Sequence, residues 1–98
     1  MLKILWHDNF RNWLRGLPDR MTRLRLTKRL RKAELGLLGD VKPVGDGIFE
    51  MREDFGSGWH MYYIKRGDAM ILMLGGGDKS TQAKDIKAAK DLAETLED

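Results

Sequence analysis

The 98-residue chain contains no cysteine and only two prolines. The first absence removes disulfides, thiol nucleophiles and thiolate metal sites together. The two histidines, His7 and His60, lack the spacing of metal ligands, so zinc is not expected. No apolar run approaches the roughly 18–20 residues that cross a bilayer. The longest is Ala69 to Leu74. No basic segment leads into an apolar one near the start, so no secretory signal is expected. These absences make a cytoplasmic protein without membrane contact the expectation. A chain of this length holds one modest core, which excludes a Rossmann dehydrogenase, a TIM barrel or any two-domain enzyme. Without repeats, low-complexity stretches or a linker, residues 1–98 read as a single domain.

Charge, in contrast, is abundant and unevenly placed. Charged residues make up 34% of the chain and the formal net charge is +3. Residues 1–50 hold 11 Lys/Arg against 6 Asp/Glu, whereas residues 51–98 hold 7 against 9. Arg20, Arg23, Arg25, Lys28, Arg29, Arg31 and Lys32 lie in one stretch that has no acid. Such a run suits a polyanion such as RNA, or an acidic protein partner. It equally suits a solvated helix face.

Hydrophobic period divides the chain in two. Leu2 to Trp6 reads as a strand. Phe10, Trp13, Leu14 and Leu17 then form one apolar helical stripe, with Asp8 or Asn9 as cap and Gly16 and Pro18 as terminators. A second helix runs from Arg20, capped by Asp19, to about Gly36. Its inner stripe is Leu26, Leu30, Ala33 and Leu37. The short link predicts an antiparallel hairpin. After it the period drops to two. Asp40 to Val44 is a short extended piece whose Pro43 suits an edge. Strands are expected at Ile48 to Phe55, Trp59 to Lys65 and Ala69 to Leu74, the last ended by Gly75-Gly76-Gly77. Asp78 or Ser80 caps a final helix through about Leu96, whose inner stripe is Ile86, Ala89, Ala93 and Leu96. The order β-α-α-β-β-β-α predicts an α+β domain, with a helical hairpin on one face of a twisted, mainly antiparallel sheet.

Strand phase then locates a candidate site. If Phe49, Met51 and Phe55 face the core under the hairpin, Glu50 and Arg52 face the other way. On the next strand His60 and Tyr62 join them, and Lys79 and Gln82 follow the glycines. Together these make a shallow polar surface. A solvated sheet face with incidental ion pairs, such as Glu50 with Arg52, would leave the same pattern. Gly75-Gly76-Gly77-Asp78-Lys79-Ser80 departs from a phosphate loop, which needs a glycine, four intervening residues and then Gly-Lys-Ser/Thr. Asp78 interrupts that spacing and opposes phosphate. Ser57 and Ser80 lie in no nucleophile elbow. Trp6, Trp13 and Trp59 read as core or partner contacts.

Several segments in order carry a family resemblance: Phe10-Arg-Asn-Trp13-Leu14-Arg-Gly-Leu17, Gly39-Asp40-Val-Lys42-Pro43-Val44-Gly45-Asp-Gly47, Glu50-Met-Arg52, Gly58-Trp59-His60-Met-Tyr62-Tyr63, and Gly76-Gly77-Asp78-Lys79-Ser80-Thr81-Gln82 with Asp85-Ile86. Over essentially the whole chain the sequence resembles the short HigB-like toxins (addiction-module killer proteins) of the RelE/ParE superfamily. The resemblance implies the toxin of a bacterial type II toxin–antitoxin system, neutralised by a helix-turn-helix antitoxin through which alone it meets operator DNA. Relatives of the RelE and HigB kind enter the ribosome and cut mRNA without metal or other cofactor, inhibiting translation. ParE relatives poison DNA gyrase on the same fold, so fold does not settle the target. A catalytically inactive member acting through antitoxin binding and operator control is a third possibility.

Carried over residue by residue, the resemblance implies catalytic roles for Arg52, His60, Lys79 and Asp85. Asp85 falls near the tyrosine acid/base of RelE; there it acts as acid or base, or else pairs with Lys79 or caps the helix. RNA contacts are implied at Arg25, Lys28, Arg29, Arg31 and Lys32, with Lys42 and Gln82. Position 60 departs from the family, which shows an arginine there. Arginine is a permanent planar cation, whereas histidine titrates near neutrality. His60 is therefore either a native general base or a change that reduces or abolishes activity. Glu50 replaces a lysine of RelE, which weakens any lysine-based mechanism.

Overall fold

The computed structural model describes residues 1–96. Its elements are β1 (Lys3–Trp6), α1 (Asp8–Arg15), α2 (Arg20–Glu34), β2 (Val41–Gly45), β3 (Ile48–Glu53), β4 (Trp59–Arg66), β5 (Met70–Asp78), a 3-10 turn (Lys79–Thr81) and α3 (Gln82–Glu94). The chain is thus α+β, with one five-stranded sheet in the order β1-β5-β4-β3-β2. β1 runs parallel to β5 and the other neighbours are antiparallel, so the sheet is mixed. Four strands follow the hairpin rather than the expected three. The extended piece near Pro43 pairs fully with β3 as the edge strand, where a missing N–H is harmless.

Local chemistry accounts for most boundaries. Asp19 caps α2 as expected, its carboxylate accepting from the Thr22 N–H at 3.1 Å and the Thr22 hydroxyl at 2.7 Å. These bonds, the hydroxyl first, hold the Asp19 carboxyl below its ordinary range. The cap of α1 is His7 instead of Asp8 or Asn9; its Nδ1 accepts from the Asn9 N–H at 3.0 Å. The β2–β3 hairpin turns on Asp46 and Gly47, both at positive φ (54° and 78°), which suits the strand twist.

α1 and α2 cover one sheet face. Phe10, Leu14, Leu26, Leu30 and Ala33 pack there on Met51, Met61, Tyr63, Ile71 and Met73. Leu37, expected in the α2 stripe, is exposed because the helix ends at Glu34. The opposite face is not the open polar surface that strand phase suggests. α3 covers half of it, burying Ile48, Tyr62, Leu74 and Ala89 in a second apolar cluster. Among the described residues, no helix is long and apolar enough to cross a membrane.

The three glycines do not end β5; they lie within it. Side chains occupy the volume their missing Cβ atoms leave. The Trp13 ring seats on Gly76, the Asp85 carboxylate on Gly77, and Asn9 Nδ2 lies 3.2 Å from a Cβ position at Gly75. Glycine here permits close approach of helices to the sheet.

Candidate functional site

β3 and β4 pair so that Arg52 lies opposite His60 and Glu50 opposite Tyr62. Side chains of one phase then share the face that α3 half covers. α3 begins only at Gln82, so the strand ends beyond it stay open. A groove of about 420 Å³ results, lined by Asp40, Lys42, Arg52, Glu53, Asp54, Gly58, His60, Lys79 and Gln82. Arg52, His60 and Lys79 therefore line one groove, together with Lys42 and Gln82, with His60 itself only 8% exposed.

Contacts fix the side chains of Lys42, Arg52, His60 and Gln82 and the backbone of Lys79. Lys79 follows β5 directly, and its N–H donates to the Gly58 carbonyl at 3.0 Å. Asp78 stabilises that turn by accepting from the Ser80 N–H at 2.9 Å and the Ser80 hydroxyl at 2.5 Å. Those bonds, the hydroxyl first, hold the Asp78 carboxyl below its usual range. Arg52 makes a forked pair with Asp40, Nε to Oδ2 and Nη2 to Oδ1, both 3.1 Å. This contact keeps the guanidinium even more firmly protonated than usual. Glu50 does not pair with Arg52 in this way. Its side chain is fully buried, and its Oε2 accepts from His60 Nδ1 at 3.0 Å. Gln82 Nε2 reaches the same oxygen at 3.4 Å, and Lys42 Nζ lies 3.6 Å from Oε1. The His60 ring lies nearly parallel to that of Tyr62, 7° apart in plane with centroids 6.4 Å apart. Burial, followed by the charges of Glu50 and Asp85, pushes the Tyr62 phenol far up from its ordinary value.

Asp85 stands outside this groove. Its Oδ2 accepts from the Thr81 hydroxyl at 2.6 Å in the first turn of α3. It lines a separate depression with Trp13, Leu17 and Trp59. The implied constellation thus contributes three of its four members to one surface. Asp85 instead braces the entry to α3 against the glycines.

The basic helix also divides. Arg25, Lys28, Arg29 and Lys32 line a second groove of about 300 Å³ that shares Glu53 and Asp54 with the first. The Arg25 guanidinium lies 4.5 Å from the centroid of the Phe55 ring. Arg31 is exposed and lines neither groove. Arg29, implied as an RNA contact, is instead turned inward and is 8% exposed. Its guanidinium donates to the carbonyls of Leu38, Asp40 and Arg52 and pairs with Glu53 at 3.2 Å. Those donors tie the 38–40 loop to β3 and are not offered to a ligand. The residues that sequence reasoning missed are acids: Glu50 as the partner of His60, and Asp40 as the partner of Arg52. Phase put Glu50 and His60 on one face, but their diagonal contact depends on a register that the sequence does not state.

This groove can grip an anion with Arg52, Lys79 and Lys42, and can accept a proton at His60. With hydrogen on Nδ1 donating to Glu50, a neutral imidazole would leave its lone pair on Nε2. No hydrogen bond among the described residues engages that nitrogen. The described residues also contain no cluster of three His, Asp or Glu side chains arranged to hold a metal ion.

No family model matches the sequence, and no solved structure matches it. The chain is similar to a Haemophilus influenzae protein whose name is "Uncharacterized protein", with 42% identity over 87 residues. The similarity spans 89% of this chain and 88% of the relative. At that identity and coverage the chain belongs to the same family as that Haemophilus influenzae protein.

Proposed function

We propose that this protein is a HigB-like toxin of the RelE/ParE superfamily, a ribosome-dependent endoribonuclease that cuts mRNA without metal and is neutralised by a helix-turn-helix antitoxin. One observation carries the reading: Arg52, His60 and Lys79 line a single open groove. The hairpin-on-sheet architecture with a C-terminal helix is in keeping with it. In the proposed reaction His60 Nε2 takes the proton of an RNA 2′-hydroxyl. The 2′-oxygen bonds to the adjacent phosphorus and the P–O5′ bond breaks. The 5′-oxygen takes a proton from water, and the hydroxide left behind recovers the proton that His60 accepted. The products are a 2′,3′-cyclic phosphate and a 5′-hydroxyl, with no net water consumed. Arg52 and Lys79 neutralise the charge on the non-bridging oxygens. The neighbouring groove of Arg25, Lys28 and Lys32 takes the flanking phosphates.

The pairing of His60 with a fully buried glutamate supports a native base over an inactivating change. The test is induction of the chain in bacteria, with mapping of mRNA 5′ ends and measurement of translation, beside His60→Ala and His60→Arg. Codon-positioned cuts by the unaltered chain, lost in both variants, are the expected result. Cuts made only by His60→Arg would assign position 60 to inactivation. Gyrase-linked DNA breaks without mRNA cleavage would replace the nuclease with a gyrase poison.

A further inference from the structure

Glu50 is the most deeply buried charged side chain near the groove, and its shortest contact is to the His60 ring. It is 0% exposed, yet Oε1 has no hydrogen-bond partner among the described residues. Glutamate is rarely fully buried without paired charge. Among the described residues Oε1 faces only the Lys42 ammonium, at 3.6 Å, beyond hydrogen-bond range. What Glu50 does have is a short contact to His60 Nδ1, at 3.0 Å, from the strand alongside. Gln82 touches the same oxygen from the start of α3, and Lys42 approaches from the edge strand. Three elements therefore converge to fix one carboxylate against one imidazole.

We infer that Glu50 is the positioning residue of this groove: its carboxylate accepts a hydrogen bond from His60 Nδ1–H, fixes the ring and leaves the Nε2 lone pair to accept the substrate 2′-hydroxyl proton. This inference rests on the nuclease reading for the reaction it serves. The proton that reaches Nε2 creates an imidazolium lying against a buried anion, which stabilises it without moving a second proton. Arg52 cannot substitute as the acceptor, because a guanidinium does not give up its proton.

The experiment reads the tautomer directly. Long-range nitrogen–proton correlation on the ¹⁵N-labelled full chain identifies which ring nitrogen of each neutral histidine carries hydrogen. His7 supplies an internal contrast, since its Nδ1 accepts a backbone N–H and its proton must sit on Nε2. The two histidines are expected to show opposite tautomers, His60 with its proton on Nδ1. In Glu50→Gln, folding is checked by thermal melting; the His60 preference is expected to become mixed or reverse. Ribosome-dependent cleavage by that variant is expected to lose about 10²-fold in kcat or more, with KM within a few-fold. An Nε2–H tautomer at His60 in the unaltered chain overturns the inference, as does an unchanged tautomer in a folded Glu50→Gln chain. If that variant does not fold, the tautomer of the unaltered chain decides alone. An Nδ1–H tautomer in a chain that never cleaves RNA keeps the positioning role and removes the nuclease reading instead.

Discussion

Replacing Arg29 should unfold much of this protein, although Arg29 lies in the most basic stretch of the sequence. Its Nε and Nη2 reach the Leu38 carbonyl at 3.2 and 2.9 Å, Nη2 reaches that of Asp40 at 2.9 Å, and Nη1 reaches that of Arg52 at 2.7 Å. Gly39, at φ +69°, brings the loop so close that a Cβ there would lie 3.1 Å from the guanidinium carbon. Arg29→Met keeps the stem and removes all of these donors, leaving Glu53 without its partner. Hydrogen bonds to a charged group contribute about 1.5–3 kcal/mol each. The contributions do not add fully, because water reaches the freed carbonyl of exposed Asp40. A total near 3–5 kcal/mol is expected, as for breaking a buried ion pair. For a domain of this size that lowers Tm by about 12–40 °C, at roughly 4–8 °C per kcal/mol. Arg29→Lys keeps the charge but not the fork, and should lose about half as much. Thermal and urea melts followed by circular dichroism measure both. Arg25→Ser and Lys28→Ser, on the exposed side of the same helix, should stay within about 0.5 kcal/mol of the parent. An Arg29→Met chain within about 1 kcal/mol of the parent would refute the argument. The same reasoning sets the design of an RNA-binding series: it should neutralise Arg25, Lys28 and Lys32 and spare Arg29.

Gly76→Ala should cost about 3 kcal/mol by urea titration, because the new methyl meets the Trp13 ring and sits 2.8 Å from the His60 carbonyl oxygen. A loss under 1 kcal/mol would mean that Trp13 is free to move. Burial raises both Tyr62 and Tyr63 phenols, so the folded chain holds their protons longer than the unfolded one. Their contribution is complete below the ordinary tyrosine range near ~10 and is lost as pH rises above it. Stability measured against pH should therefore fall on the alkaline side, and Tyr62→Phe with Tyr63→Phe should flatten that fall. Asp40→Asn removes the anion that occupies Arg52, and phosphate or short RNA should then bind several-fold more tightly at low salt. Unchanged affinity in a titration would place the anion elsewhere than on Arg52.

Much of the architecture is legible in local pattern. The apolar spacing of Phe10, Leu14, Leu26, Leu30 and Ala33 marks the two inner helix stripes, and alternation assigns Met51 and Met61 to the hairpin side. Alternation also puts Glu50, Arg52, His60 and Tyr62 on the opposite phase, because side chains of one strand point alternately whatever the partner. Composition does not distinguish Arg29 from its basic neighbours; only the return of the 38–40 loop gives it three carbonyls to hold. The glycine run reads as a strand end until helices are seen resting on it.

Sequence alone thus determined the elements, their facing residues and the candidate groups of the groove, since these depend on chemistry within a few neighbours. Tertiary structure decided the rest: that α3 covers half the far face, that Asp85 braces a glycine instead of joining the groove, and that Glu50 meets His60 and Asp40 meets Arg52. Those outcomes depend on strand register and on where distant segments come together, and neither is encoded in the spacing of residues along one element.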